Sequence, residues 1–326
     1  MGPAMRRRFD VCNGDADGLC AVLQWRLHEP AAATLVTGLK REIDLLQRVP
    51  PDAADEVLVC DLSMQRNRDA LLQLLGAGVA VRYFDHHAAG EVPQHARLET
   101  HLDFGSEVCT SLLMDRHLGG RHRNWAVVGA YGDDLVAAAD RLATAAGLDA
   151  AQCASLRRLG QAINYNAYGE AAEDVLIAPE RLYPTLARWP DPLDLIAREP
   201  IVDALDAQRL SDLAQAQALP PAWEDERARV IVLPDAPWSR RVIGCLANEL
   251  ARTRPQQAQA VLRTRPSGGF SVSVRAPRVT PFGASQLCEA FGGSGRAAAG
   301  GIDALPAQDV DRFIQALAAA RWGRAA

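Results

Sequence analysis

The stretch Val79-Ala-Val-Arg-Tyr-Phe-Asp-His-His87 decides the fold, because an apolar run passes directly into one carboxylate and two imidazoles. A short apolar run of this kind, followed by polar residues, is typical of a buried strand. Charged and ionisable side chains are costly to bury unless they are paired or coordinated. Asp85, His86 and His87 therefore predict a ligand or a hydrogen-bond network at the end of a strand.

Three further apolar runs in the chain also end at acidic residues. One Asp after a strand is usually a helix cap, but four such ends favour a shared site. In open α/β sheets, ligands bind at the carboxyl ends of the strands, so the sequence predicts a mostly parallel sheet whose strand ends collect these carboxylates. The further runs are Phe9–Cys12 before Asn13-Gly-Asp-Ala-Asp-Gly18, Val57–Cys60 before Asp61, and Trp125–Tyr131 before Asp133 and Asp134.

The residue types at these ends indicate a divalent metal. Carboxylates suit Mg²⁺ and Mn²⁺, and imidazole shifts the preference toward Mn²⁺, Co²⁺ and related ions. Two such ions about 4 Å apart can activate a water and stabilise both oxygens of a phosphoryl displacement. The chain has no Gly-x-x-x-x-Gly-Lys-Ser/Thr loop for a nucleoside triphosphate. These patterns predict a metal-dependent phosphoesterase.

Four segments resemble motifs I to IV of the DHH phosphoesterase superfamily, in order and in spacing. The resemblance implies an α/β protein in which a mostly parallel-sheet DHH domain precedes a smaller α/β DHHA1 substrate-binding domain. The superfamily includes single-strand exonucleases, nanoRNases, cyclic-dinucleotide phosphodiesterases, exopolyphosphatases and family II pyrophosphatases. The matching segments are Asn13–Gly18, Val59–Asp61, Asp85–His87 and Gly129–Asp133.

The resemblance also assigns roles to individual residues. It implies that Mn²⁺ is the cofactor, as one or two ions, with Mg²⁺ or Co²⁺ as alternatives. Asp85 would orient a neighbour, and His87 would contact substrate. The implied catalytic residues are Asp61, Asp85, His86 and His87, and the implied metal ligands are Asp15, Asp17, Asp61, His86 and Asp133.

Two positions of the first motif depart from the superfamily pattern. Asn13 stands where the first Asp of the family's Asp-x-Asp pair belongs, and Phe9 stands where the family commonly has His. By this alignment one metal position is complete, while the neighbouring one has lost ligands. The candidates that compensate for them are Asp17 and, by a change of register, Asp10.

The C-terminal part resembles the DHHA1 domain. Gly268–Arg275 is interpreted as an edge strand ending in a phosphate-binding arginine, and Phe291–Gly300 as a glycine-rich loop followed by a small-residue helix. Glycines allow backbone N–H groups to surround a phosphate, and a helix N-terminus favours its charge. A tight packing contact is the alternative explanation of the glycines. The implied substrate-binding residues are His87, Arg275, Gly292, Gly293, Ser294, Gly295 and Arg296.

Composition is that of a two-domain enzyme. The boundaries expected are 1–205 for the metal-binding domain, 206–222 for a linker and 223–326 for the substrate-binding domain. The whole chain has a formal net charge of −5, whereas residues 222–326 carry 14 Arg against 9 acidic residues. The acidic part thus suits cations and the basic part suits anions. Seven cysteines without a Cys-x-x-Cys pair favour a reducing, cytoplasmic location.

Three functions remain open at this stage. The first is hydrolysis of phosphodiester or terminal phosphate bonds in short oligonucleotides, dinucleotides or nucleoside bisphosphates by a metal-activated hydroxide. The second is polyphosphate or pyrophosphate hydrolysis with the same metals. The third is a non-catalytic nucleotide sensor with a depleted metal site. The expected partner is a short nucleic acid or nucleotide and not a membrane, and a homodimer is compatible with the sequence.

Overall fold

A computed structural model describes residues 6–323 of the chain. These residues form two compact units whose boundary lies between Ala207 and Gln208. The boundary falls inside a helix, Pro200–Gln217, which covers most of the segment 206–222.

The first unit is built on a five-stranded sheet in which all neighbouring strands are parallel. The spatial order is β2-β1-β3-β4-β5, so the direction of winding reverses beside β1. Such a reversal opens a crevice at the carboxyl ends of the strands. The strands are β1 Arg8–Cys12, β2 Thr34–Val36, β3 Glu56–Cys60, β4 Ala80–Asp85 and β5 Leu98–Leu102.

Helices cover both faces of this sheet, because side chains of successive strand residues point to opposite faces. In β3, Leu58 and Cys60 join the larger core with most of the helices, whereas Val57 and Val59 join a smaller core with α2. The predicted α/β fold with a parallel sheet is confirmed. The helices are α1 Ala16–His28, α2 Arg68–Gly76, α3 Thr110–His117, α4 Arg123–Gly132, α5 Val136–Ala145, α6 Ala150–Asn166, α7 Pro179–Leu186, α8 Pro192–Arg198 and α9 Pro200–Gln217.

One predicted strand is a helix. The run Trp125–Tyr131 lies within α4. Of the four apolar runs that end at acidic residues, three are therefore strands and one is a helix. Trp125 is fully buried, and the residues after it in the run are at most 2% exposed. A short run that is apolar on every side looks the same in a buried strand and in a buried helix, and periodicity cannot separate them.

The second unit has a six-stranded mixed sheet of order β10-β11-β9-β8-β7-β6. Only β7 and β8 pair in parallel within this sheet; the other pairs of strands are antiparallel. Its elements are β6 Trp223–Glu224, β7 Ala228–Leu233, α10 Pro237–Thr253, β8 Ala258–Thr264, β9 Phe270–Arg275, α11 Ala284–Glu289, β10 Ser294–Arg296, β11 Ala299–Leu305 and α12 Val310–Ala319.

Two expectations for this unit were wrong. β9 is not an edge strand, because β8 and β11 pair with its two sides. The glycine-rich segment does not lead into a helix: its residues from Ser294 to Arg296 form β10 and those from Ala299 form β11, as a hairpin. Gly293 and Gly295 permit close approach, since a Cβ on them would lie 2.2 Å from Gly301 O and 2.4 Å from Ala299 O.

Among residues 6–323, the helices are all too short or too polar to cross a membrane.

The crossing of α4 and α6 supplies a test of the packing. A Cβ on Gly160 would lie 2.3 Å from Val128 O and 2.9 Å from Gly132 N, whereas a Cβ on Gly76 of α2 would meet nothing within 4 Å. Gly160→Ala should therefore lower the free energy of unfolding by about 1–3 kcal/mol through overpacking. Gly76→Ala should leave it unchanged or raise it by up to about 1 kcal/mol. Denaturant unfolding of both variants measures this, and equal stabilities would contradict the close crossing.

Candidate metal centre

Three neighbouring strands deliver the central residues of the site. Cys12, Cys60 and Phe84 are aligned across β1, β3 and β4. The residues that follow them, Asn13, Asp61 and Asp85, therefore leave the sheet side by side. This is the convergence at strand ends that the sequence predicted for these three runs.

Asp61 adopts a backbone conformation that few residues tolerate. Its φ is 59°, in the left-handed region, and its N–H donates to Phe84 O at 3.0 Å. Asp and Asn enter this region more readily than other non-glycine residues. Such conformations persist where the surroundings enforce them, often at functional sites. The turn directs a buried carboxylate away from β3 and toward β4.

His86 lies at the centre of the acidic cluster. Its Nε2 atom is 3.4 Å from Asp61 Oδ1, 3.9 Å from Asp133 Oδ2 and 4.0 Å from Asp17 Oδ2. Asp17 and Asp61 are buried, while the His86 side chain is 17% exposed. The predicted ligands Asp17, Asp61, His86 and Asp133, far apart in sequence, thus meet at one point.

The spacing of these atoms fits a divalent ion. Two overlapping groups can each hold a metal with ligand atoms within 4.8 Å of one another: Asp61, His86 and His87, and Asp17, His86 and Asp133. Nitrogen and oxygen ligands bind such ions at about 2.0–2.2 Å, which places ligand atoms about 3–4 Å apart. The donor set and its geometry therefore fit a metal such as Mn²⁺, and Asp15 belongs to neither group.

Asp17 and Asp133 reach the cluster from helices. Asp17, in the first turn of α1, accepts hydrogen bonds of 2.7 Å from the backbone N–H groups of Thr110 and Ser111 at the start of α3. Asp133 is the residue that ends α4. A helix N-terminus stabilises a carboxylate. The position of Asp17 is therefore fixed before any ion binds.

Asp15 has a different partner, which the sequence reasoning missed. Its Oδ1 atom caps α1 by accepting from the N–H groups of Asp17 and Gly18. Its Oδ2 atom lies 2.6 Å from Lys40 Nζ, and that ammonium also donates to Asn164 Oδ1 at 3.0 Å. The sequence carried one signal for this residue: Lys40 is the only lysine among 326 residues.

Asp85 and His87 form a hydrogen-bonded pair beside the cluster. Asp85 is fully buried, and its Oδ1 atom lies 2.8 Å from His87 Nδ1. The His87 side chain is 39% exposed. Burial lowers the pKa of His87, but the bond to Asp85 and the field of the carboxylates outweigh it and raise the pKa above its usual value. His87 is therefore oriented and predisposed to hold a proton.

The remaining carboxylates repel one another. Burial, followed by the charges of Asp15, Asp17 and Asp133, raises the pKa of Asp61 well above its usual value. Burial and the charge of Asp17 raise the pKa of Asp133 to about 7. Burial alone would raise the pKa of Asp15, yet the Lys40 ammonium holds it below its usual value. Asp61 and Asp133 are thus short of positive charge, whereas Asp15 is not.

In the second unit, the predicted arginines share one face of the sheet. Arg296 of β10 pairs with Ala299 of β11, and Ala299 pairs with Arg275 of β9. Directly paired residues point to the same side of a sheet, and adjacent strands are about 4.8 Å apart, so the two Cα atoms lie roughly 10 Å apart. Arg275 Nε also donates to Asn248 Oδ1 of α10 at 2.7 Å. The second unit thus presents two guanidinium groups across a small alanine.

No protein-family model matches the sequence, and no curated protein matches it. Solved structures do match the fold. Exonuclease RecJ bound to manganese superimposes with a TM-score of 0.62 at 21% identity, over 96% of this chain and 89% of that chain. The chain has a RecJ-like fold. The fold that the resemblance to the DHH superfamily implied is confirmed.

Two further structures agree with this result. RecJ from Thermus thermophilus, in complex with Mn²⁺, gives a TM-score of 0.57 at 18% identity, and the match covers 96% of this chain but 51% of that longer one. The pGpG-specific phosphodiesterase PggH from Vibrio cholerae gives 0.56 at 16% identity, over 96% of this chain and 97% of that chain. Both similarities extend across the two units.

The raised pKa of Asp133 predicts how the metal-free protein responds to pH. Its folded pKa of about 7 exceeds the unfolded value of about 3.9, so the folded state binds the extra proton between these values. The free energy of unfolding should therefore fall as the pH rises from about 5 through 7. Metal must displace that proton, so affinity for Mn²⁺ should rise over the same range.

Thermal unfolding of metal-free protein across this range, together with calorimetric Mn²⁺ titrations, tests both statements. Asp133→Asn should flatten the dependence of the melting temperature on pH, because the titrating group is gone. An unchanged slope in that variant would contradict the role given to Asp133.

Proposed function

We propose that the protein is a metal-dependent phosphoesterase that hydrolyses phosphodiester or terminal phosphate bonds of short oligonucleotides, dinucleotides or nucleoside bisphosphates. One observation carries the proposal: Asp17, Asp61 and Asp133 converge within 4.0 Å of His86 Nε2 at the carboxyl edge of a parallel sheet. Buried carboxylates this close together are unfavourable without a cation. Because holding these carboxylates together costs free energy, the site suits a reaction that uses a bound ion.

The residues of this site would hold Mn²⁺ through Asp17, Asp61, His86 and Asp133. A bound divalent ion supplies a Lewis acid for the phosphoryl oxygens and lowers the pKa of a coordinated water. The protein contributes the fixed geometry: the α3 N–H groups hold Asp17, and the left-handed turn holds Asp61. Positioning the ligands in advance reduces the cost of reaching the transition state.

His87 is the proposed proton donor and substrate contact. Asp85 engages Nδ1, so Nε2 is the atom that can donate to a phosphoryl or leaving oxygen. The raised pKa keeps a larger fraction of His87 protonated near neutral pH. A donor with a pKa near the working pH is effective in general acid catalysis. Asp85 acts through His87 as a positioning residue.

The arginines of the second unit suit a phosphate-bearing ligand. We propose that Arg275 and Arg296, with the backbone of Gly292, Gly293, Ser294 and Gly295, bind a phosphate group. Arginine matches phosphate through two parallel hydrogen bonds. Asn248 holds Arg275 in place. PggH is a pGpG-specific phosphodiesterase, and RecJ is an exonuclease. These similarities favour short nucleic acids over inorganic polyphosphate.

A non-catalytic nucleotide sensor is the second candidate. The observation that favours it is the ion pair between Asp15 and Lys40, which removes one predicted metal ligand from the cluster. A sensor would bind a dinucleotide with the same arginines and release no product. Polyphosphate hydrolysis is the third outcome, recognised by phosphate release from a substrate that lacks any nucleoside.

Product analysis separates these candidates. Mn²⁺-loaded protein is incubated with a 5′-labelled RNA dinucleotide and, in parallel, with a decanucleotide and with polyphosphate. We expect mononucleotide release from the dinucleotide. Asp61→Asn should reduce the rate by about 100-fold or more, because a ligand charge is lost. The Asn side chain tolerates the left-handed backbone at this position, so the fold should be retained.

Asp69→Asn provides the matched control, since Asp69 is exposed in the first turn of α2. This variant should cleave at the wild-type rate. Full activity in Asp61→Asn would refute the assignment of the site. Dinucleotide binding without turnover by the wild type would favour the sensor.

A further inference from the structure

Lys40 lies beside the proposed metal site and pairs with Asp15. The ammonium is 2.6 Å from Asp15 Oδ2 and 3.0 Å from Asn164 Oδ1. Its side chain is 28% exposed, and that of Asp15 is 4% exposed. Lys40 thus supplies two contacts of the kind that a metal would make, with one carboxylate and one amide oxygen.

We propose that Lys40 is a built-in cation that replaces a second divalent ion, so that the active site binds one metal. The inference rests on the proposed function, since it describes the same site. It explains why Asp15 is outside both groups of residues that can surround a metal. The ammonium carries one positive charge to Asp15, and the remaining carboxylates surround His86.

Asn13 holds Lys40 in this position. Asn13 Oδ1 accepts from Asp15 N at 3.2 Å, and Asn13 Nδ2 donates to Lys40 O at 3.3 Å. An aspartate could accept the first bond but could not donate the second, because an ionised carboxylate has no hydrogen to give. The amide at residue 13 therefore joins the first motif to the segment that carries the lysine.

Backbone contacts fix the same two segments. A Cβ on Gly14 would lie 2.0 Å from Gly38 O, so only glycine at residue 14 allows these two segments to approach so closely. Lys40 N donates to Ala167 O at 3.0 Å, at the residue that ends α6. The carboxyl end of a helix attracts positive charge. Lys40 is therefore held at both its backbone and its ammonium.

The number of Mn²⁺ ions that the protein binds tests the proposal without an activity assay. Native mass spectrometry and calorimetry with Mn²⁺ should give one tightly bound ion in the wild type. The double variant Asn13→Asp/Lys40→Ala removes the ammonium and adds a carboxylate, and it should bind two. Arg41→Ala is the matched control, because it removes a cation from the next position, where Arg41 faces Glu170 at 3.6 Å and is 55% exposed. That control should bind one ion, as the wild type does.

Either of two stoichiometries would overturn the proposal. Two tightly bound ions at the carboxylate cluster of the wild type would show that Lys40 does not fill the second position; binding at Glu99, His101 and His117, a separate group that could hold a metal, does not count. One ion in the double variant, with its secondary structure intact, would show that Lys40 does not exclude the second ion.

A second measurement uses the wild-type chain, in which Lys40 is the only lysine. Amine acetylation followed by peptide mapping reports on this one side chain. Because a paired ammonium stays protonated, Lys40 should react about tenfold or more slowly than free lysine, with and without Mn²⁺. A rise in its reactivity when Mn²⁺ is added would show that the metal displaces the ammonium, and would refute the proposal.

The two measurements also separate this inference from the proposed function. One bound ion and a protected Lys40 in a protein that cleaves no phosphoester would support the built-in cation and refute the enzyme. Phosphoester cleavage with two bound ions would do the reverse.

Discussion

Mutual repulsion among buried carboxylates is the constraint on which the rest of the structure depends. Asp15, Asp17, Asp61 and Asp85 are each at most 3% exposed, and Asp133 lies beside them. Bringing such groups together in the interior costs more free energy than placing the same charges at the surface, because water no longer screens them. Three of these carboxylates are matched with a specific positive or dipolar partner: helix N-termini for Asp17, an ammonium for Asp15, an imidazole for Asp85. Asp61 accepts a hydrogen bond of 3.3 Å from the Thr110 hydroxyl, yet its pKa and that of Asp133 remain raised. These two carboxylates define where a divalent ion is needed.

The fold supplies these partners through the order of its strands. Reversal of winding at β1 places the first motif between β3 on one side and the segment after β2 on the other. The second segment carries Lys40, and the start of α3 provides the N–H groups for Asp17. A parallel sheet thus gathers cations and dipoles from separate parts of the chain at one edge.

Much of this arrangement could be predicted from sequence, for identifiable reasons. An apolar run that ends in Asp-His-His is a local signal, and strands of a parallel sheet bring such ends together, so the sequence pointed to Asp61 and His86, which meet in the structure. The run at Trp125 was assigned to the wrong element, because burial on all sides hides periodicity. Even so, Asp133 was assigned to the cluster, because it ends the fourth motif of the resemblance. The element that carries it does not change this, since a helix end can deliver a carboxylate as well as a strand end. Lys40 was missed because no motif spacing links it to Asp15; only folding brings them together.

The hydrogen bonds of Asn13 limit which substitutions this chain can accumulate in evolution. Asn13, Asp15 and Lys40 depend on one another through three contacts. Loss of Lys40 alone leaves Asp15 without its ammonium, and loss of Asp15 alone leaves a largely enclosed ammonium without its anion. Either intermediate costs more free energy than the change of both residues together. The three positions should therefore be inherited as a unit, and descendants should keep the complete set or exchange it for a different one.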